Sequence, residues 1–178
     1  MKVLARLCAA AAVTAAGLFG APSASAAVDT ADSTFPIDPV TQLEVHTRAD
    51  CRLAEKRCFW QAAANLRTPD GPTGFPPDLW ARQTTTLRSN DRTIFLETDF
   101  NAPNTRLFKS LSQIELTTIY FGDGPVEKYQ LNGDTIPTSW YNGQPVTDKD
   151  FIVCAEIQVV YTGVNITSPS TCAQARFS

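Results

Sequence analysis

The chain has 178 residues, with 15 Lys and Arg against 18 Asp and Glu, one His and five Cys. A net charge of −3 speaks against nucleic acid or an anionic membrane as a main partner, because both require clustered basic side chains. No stretch reaches the about 20 consecutive apolar residues that a membrane-crossing helix needs.

Residues 1–26 read as a cleavable secretory signal. Lys2 and Arg6 form a short basic start, the run from Leu7 to Phe19 carries no charge, and Ala24-Ser25-Ala26 supplies a small-x-small cleavage pattern. Gly20-Ala21-Pro22 interrupts the apolar run too early for a membrane anchor. Cys8 raises a lipoprotein alternative, but it sits at the start of the apolar region, where lipidation would discard the signal itself. The Ala-rich style resembles export signals of GC-rich Gram-positive bacteria. The expected location is therefore secreted or extracellular, with loose wall association as a variant. Cleavage after Ala26 removes Lys2 and Arg6, leaving 13 basic against 18 acidic residues and a net charge of −5 over 152 residues. That length suits one domain with its own core.

Four cysteines remain: Cys51, Cys58, Cys154 and Cys172. An even number in an exported chain reads as two disulfides. The preferred pairing is Cys51–Cys58 with Cys154–Cys172, since each closes a local loop. The rival, Cys58–Cys154, would join two sheets as in an immunoglobulin domain. Zinc fits poorly, because neither cysteine pair has ligand spacing and His46 is the only histidine.

Residues 27–40 are small, acidic and Pro-containing, and are expected to form a flexible N-terminal arm, extended or mobile. Residues 41–178 are expected to form a single domain. From Cys51 to Leu66 two readings compete. Ala54, Glu55, Lys56 and Gln61 to Ala64 are good helix formers. The alternative, which is preferred, is a hairpin of Leu43 to Cys51 and Cys58 to Arg67 closed by the disulfide. Thr68 to Trp80 is Pro- and Gly-rich yet carries Phe75, Leu79 and Trp80. Such a loop is either folded over a core edge or presented to a partner.

Further on, Thr93 to Phe100 reads as a strand with Ile94, Leu96 and Phe100 on one face and Glu97 and Asp99 on the other. Arg106 to Phe121 is rich in β-branched and aromatic residues and reads as two strands, or as one bulged strand. Asn132-Gly133 and Asn142-Gly143 both suggest two-residue hairpin turns. They predict a meander of Val126 to Leu131, Thr135 to Tyr141 and Pro145 onward, with Pro137 keeping the middle strand short or at an edge. Phe151 to Thr162 shows the clearest period-two alternation. Many short strands with frequent turns indicate an all-β, disulfide-stabilised β-sandwich, immunoglobulin-like or similar, with little helix.

The chemistry-bearing residues are few. His46 lacks any partner motif for nucleophilic catalysis, and no G-x-S-x-G elbow exists. Glu97 and Asp99 are the nearest carboxylate pair for glycoside hydrolysis. Asp148-Lys149-Asp150 and Gly122-Asp123-Gly124 carry calcium-type ligands without a calcium-loop pattern. No catalytic residue, metal site or cofactor is assigned. The leading expectation is a non-enzymatic extracellular or envelope binding protein with a protein or carbohydrate ligand. Its contacts would be Phe75, Leu79, Trp80, Trp140 and Tyr141, since aromatic faces bind both ligand classes. Two alternatives are a small secreted hydrolase using paired carboxylates and a protease inhibitor presenting Arg52, Lys56 and Arg57 in the Cys51–Cys58 loop.

Overall fold

The computed structural model describes residues 27–100 and 102–178. The signal assigned to residues 1–26 lies outside them. Among the described residues, twelve strands form two antiparallel sheets packed face to face. Sheet A holds β1 (Val28–Pro36), β2 (Gln42–Arg52), β3 (Arg57–Thr68), β4 (Gly71–Thr73), β6 (Ile94–Phe100) and β9 (Gln130–Ser139). Its order is β1-β2-β3-β9-β6, with β4 also on β3. Sheet B holds β5 (Trp80–Ser89), β7 (Thr105–Lys109), β8 (Ile114–Phe121), β10 (Phe151–Tyr161), β11 (Val164–Thr167) and β12 (Thr171–Ala175). Its order is β11-β10-β5-β8-β7, with β12 also on β10. The one helical turn among the described residues is a 3-10 turn, Val126–Tyr129. This is the disulfide-stabilised β-sandwich expected from the sequence.

The stretch from Cys51 to Leu66 is a hairpin. Cys51 pairs with Cys58 across it, and the pairing runs on to Gln42 opposite Arg67. Cys58, Trp60, Ala62 and Ala64 are buried, while Phe59, Gln61 and Ala63 between them are not. Ala62 to Ala64 fit both a helical and a strand period, so only the packed surroundings select the strand. Both disulfides join neighbouring strands of one sheet: Cys51–Cys58 joins β2 to β3, and Cys154–Cys172 joins β10 to β12. The inter-sheet pairing Cys58–Cys154 is not formed.

Three expectations need correction. The segment expected to be a flexible arm is an edge strand: β1 pairs with β2 from Val28 opposite Asp50 to Pro36 opposite Gln42. It is also fastened to sheet B, where Ser33 Oγ bonds Thr171 Oγ1 and Asp29 accepts the Gln174 amide at 2.7 Å. Asn132-Gly133 is not a turn but lies inside β9, opposite Gln61 and Trp60. Val126 to Leu131 is not a strand throughout, because its first four residues make the 3-10 turn. Asn142-Gly143 does lie in a turn, though a four-residue one, Trp140 to Gly143, in which Gly143 alone has positive φ (65°). Pro137 sits where β9 has passed the end of its pairing with β3 and pairs only with β6. Its carbonyl accepts from Val146 N, beside the isolated Thr138–Pro145 bridge and on the side away from β6, so the missing N–H costs no hydrogen bond to β6.

The core has two halves. Trp60, Leu87, Ile114, Leu131 and Phe151 anchor one half. Leu43, Phe75, Tyr129, Ile157 and Val159 anchor the other. Between them, Thr47, Gln83, Thr85 and Thr118 form a buried polar waist. Gln83 donates to Ala62 O at 3.4 Å and to Thr85 Oγ1 at 3.3 Å. On one lateral side β1 lies against β12. On the other β6 lies near β7, where Lys109 Nζ is 3.8 Å from Glu97 Oε1.

Candidate binding surfaces

The strand directions place the connections 53–56, 90–93, 110–113 and 140–150 at one end of the sandwich. The Thr68 to Leu79 loop lies at the opposite end. The five aromatic and apolar residues proposed as contacts therefore divide into two distant groups.

At the far end, Phe75 and Leu79 are buried core residues, each 3% exposed. Phe75 packs edge-on against Tyr129, with ring centroids 4.8 Å apart. Tyr129 in turn donates its hydroxyl to Gly122 O at 2.6 Å. The loop is folded over the core edge, and its large side chains turn inward because a loop of this length buries apolar area only by covering the open end of the sandwich. Trp80 is half-buried at the start of β5. The tryptophan that the core does use fully is Trp60, 3% exposed, whose indole donates to Thr98 Oγ1 at 3.2 Å. Its position in an alternating strand was the available signal for that role.

At the near end, Trp140 is 46% and Tyr141 is 99% exposed. Their loop is held by its own backbone. Ser139 N donates to Gln144 O at 2.9 Å, Gly143 N to Ser139 O at 3.0 Å, and Tyr141 N to Ser139 Oγ at 3.2 Å. Phe108 and Leu111, on the β7–β8 hairpin at the same end of the sandwich, are also exposed. Sequence reasoning did not single these two out, because in a strand reading either could have faced the core.

The outer face of sheet A carries a connected set of titratable groups. His46 is held on both sides: Nδ1 lies 2.6 Å from Asp32 Oδ1 and Nε2 lies 2.7 Å from Asn65 Oδ1. Asn65 donates its amide to Glu44 Oε2 and to Leu66 O, which fixes its orientation. Burial would raise the Glu44 carboxyl, but hydrogen bonds from Arg67 and Asn65 and the Arg67 charge hold it below its ordinary value. The histidine is thus tied into a structural network across β1, β2 and β3, with both nitrogens engaged. Glu97 and Asp99 share the exposed outer face of β6. Asp99 lies directly opposite Asp134, and Asp134 is ion-paired with Arg57. These carboxylates stand on an open sheet surface. In the Cys51–Cys58 turn, Arg52 bonds Asp50 and Glu55 and stacks 4.4 Å over the Phe59 ring. Two of the three basic residues proposed for an inhibitory loop, Arg52 and Arg57, therefore bond back to their own domain.

Among the described residues no three His, Cys, Asp or Glu side chains gather as a metal-binding group. Lys149 of the Asp148-Lys149-Asp150 run donates to Asp91 at 2.7 Å, and Asp150 accepts from Gln174 at 2.7 Å.

A fourth feature was not foreseen. Between the end of β8 and the start of β9 lies a cleft of about 250 Å³, walled by Ile119, Tyr120 and Phe121, with Glu127 and Lys128 at its rim. Tyr120 is 8% exposed, and its hydroxyl is buried with no hydrogen-bond partner among the described residues. Burial pushes this phenol far above its ordinary value.

Comparison with family models, curated proteins and solved structures finds no match to this chain.

Proposed function

We propose that this is an exported, non-enzymatic interaction protein whose partner is another protein, contacted through the Trp140-Tyr141 tip. The observation that carries this reading is the near-complete exposure of Tyr141 on a loop that its own hydrogen bonds hold in place. Large aromatics are seldom left in water without a use, and a pre-ordered aromatic loop loses little entropy on binding. Phe108 and Leu111, exposed at the same end of the sandwich, add apolar side chains that suit a protein partner better than a sugar. Two disulfides fit an oxidising compartment. The engaged nitrogens of His46 and the oxidised cysteines supply neither base nor nucleophile.

The test is site-specific photo-cross-linking in a culture that exports the protein. A benzophenone side chain at Tyr141 should give a discrete cross-linked protein species, and one at Asp70, at the opposite end, should give none. Equal yields from both positions, or none from Tyr141, would reject the reading.

A further inference from the structure

We infer that the outer face of sheet A binds a neutral oligosaccharide laid across β2, β3, β9 and β6. This surface is separate from the Trp140-Tyr141 tip, and the inference does not depend on the tip contact. The strand register sets the surface out. Asp50, Phe59, Asp134 and Asp99 stand opposite one another in a row across the four strands. Arg48, Gln61 and Asn132 form the next row. Neighbouring strands lie about 4.8 Å apart, so four strands span about 14 Å, the reach of a short oligosaccharide. Asn132, Asp134 and Asp99 are short side chains beside the larger Phe59, and the surface dips among them. The main depression, about 470 Å³, is bordered by Phe59, Asn132, Asp134 and Asp99. A smaller one, about 140 Å³, shares Phe59 and adjoins Arg48 and Gln61. A third, about 100 Å³, shares Asp99 and Asp134 and reaches Glu97 and Ile136.

The groups on this surface match a sugar. A sugar ring has an apolar C–H face, which packs on an aromatic ring, and hydroxyls that donate and accept at once. Phe59 supplies the ring, and the Arg52 guanidinium stacked 4.4 Å over it holds it in place. Asn132 supplies the donor. Its Oδ1 accepts from Gln61 Nε2 at 3.1 Å and from Gln130 Nε2 at 2.9 Å, which fixes the amide. Its own N–H groups donate to nothing among the described residues. Asp99 supplies the acceptor, an exposed carboxylate with no hydrogen bond or ion pair among the described residues. It stands directly opposite Asp134, and like charges so placed on a sheet cost stability. Arg57 pairs with Asp134 and leaves Asp99 unpaired. Folding gives no reason for a carboxylate at this position, whereas ligand hydroxyls do. The carboxylates of Asp50, Glu97, Asp99 and Asp134 are interleaved with Arg48, Arg52 and Arg57. The surface therefore carries little net charge, which favours a neutral sugar over a uronate.

The probes are cellohexaose, xylohexaose and chitohexaose, with hexagalacturonate as the charged comparison. Each is titrated into residues 27–178 and followed by backbone amide shifts in NMR. Saturable shifts with at least one neutral hexamer should map to residues 59–61, 99–100 and 132–134. Asp99→Ala should weaken that binding by about tenfold or more, in keeping with the loss of a hydrogen bond to a charged group. The same variant without probe should melt at or above the wild-type temperature, because it relieves a like-charge pairing. No saturable shift with any neutral hexamer at millimolar concentration, shifts mapping elsewhere, tighter binding of hexagalacturonate, or unchanged affinity in Asp99→Ala would overturn the proposal. A lower melting temperature of that variant would overturn it too, by giving Asp99 a structural role.

Discussion

Gly133 has no room for a side chain. A Cβ placed there would lie 2.4 Å from Trp60 Cζ2 and 2.4 Å from the Asp99 carbonyl oxygen. The glycine lets the indole lie flat beneath β9, and Trp60 then anchors the core half nearest the tip. Gly133→Ala should destabilise the fold by ~1–3 kcal/mol through overpacking, measured by denaturant unfolding. A neutral substitution would show that Trp60 is not held by this contact. Asp91 acts at the same scale. It accepts hydrogen bonds from Lys149, Thr93 and Ser89, and the Lys149 bond above all holds its carboxyl well below the ordinary range. A lowered folded-state value means that the stability Asp91 contributes is fully present above the ordinary Asp range, about pH 4, and is lost as pH falls through the folded value. The melting-temperature gap between wild type and Asp91→Asn should be constant from pH 7 to 5 and shrink progressively below about pH 4. A gap that stays constant down to pH 2 would contradict the assignment.

At the scale of elements, the two disulfides differ in their surroundings. Cys51 and Cys58 are fully buried on the inner face of the β2–β3 hairpin, whereas Cys172 is exposed on β12. Mild reductant under native conditions should therefore open Cys154–Cys172 first, with Cys51–Cys58 resisting until the domain unfolds. Alkylation followed by mass spectrometry reads the order, and simultaneous loss of both would contradict it. Strands with strong alternation, such as β10, were legible in the sequence because period two with apolar residues on one face has a single structural reading. The pairing of the cysteines was legible because each pair closes a short loop. β1 was not, since its residues are small and polar and its order comes from β2 and from bonds to β12 rather than from its own apolar face. The Asn132-Gly133 turn failed for a related reason: a glycine signals freedom of backbone or absence of a side chain, and here the second was needed.

For the whole molecule, the sandwich brings the ends of ten of the described strands to one face of the domain and sets the Trp140-Tyr141 tip among them. The sequence could list the large aromatic residues but not sort them, because burial depends on which loop covers which open end. Phe75 and Leu79 seal the far end, Trp60 fills the core, and Tyr141 stands in water. The lateral cleft was illegible for the same reason, since it arises where β6 and β7 stop short of their neighbours. The most direct test of the proposed interaction is hydrogen exchange with mass spectrometry on residues 27–178, alone and with the concentrated proteins of the medium into which the proposal has it exported. Added protection confined to residues 107–112 and 139–144 is the expected result. No added protection there, or protection centred on Glu97, Asp99 and Asp134 of sheet A, would contradict the tip as the contact surface and return attention to the carboxylate face.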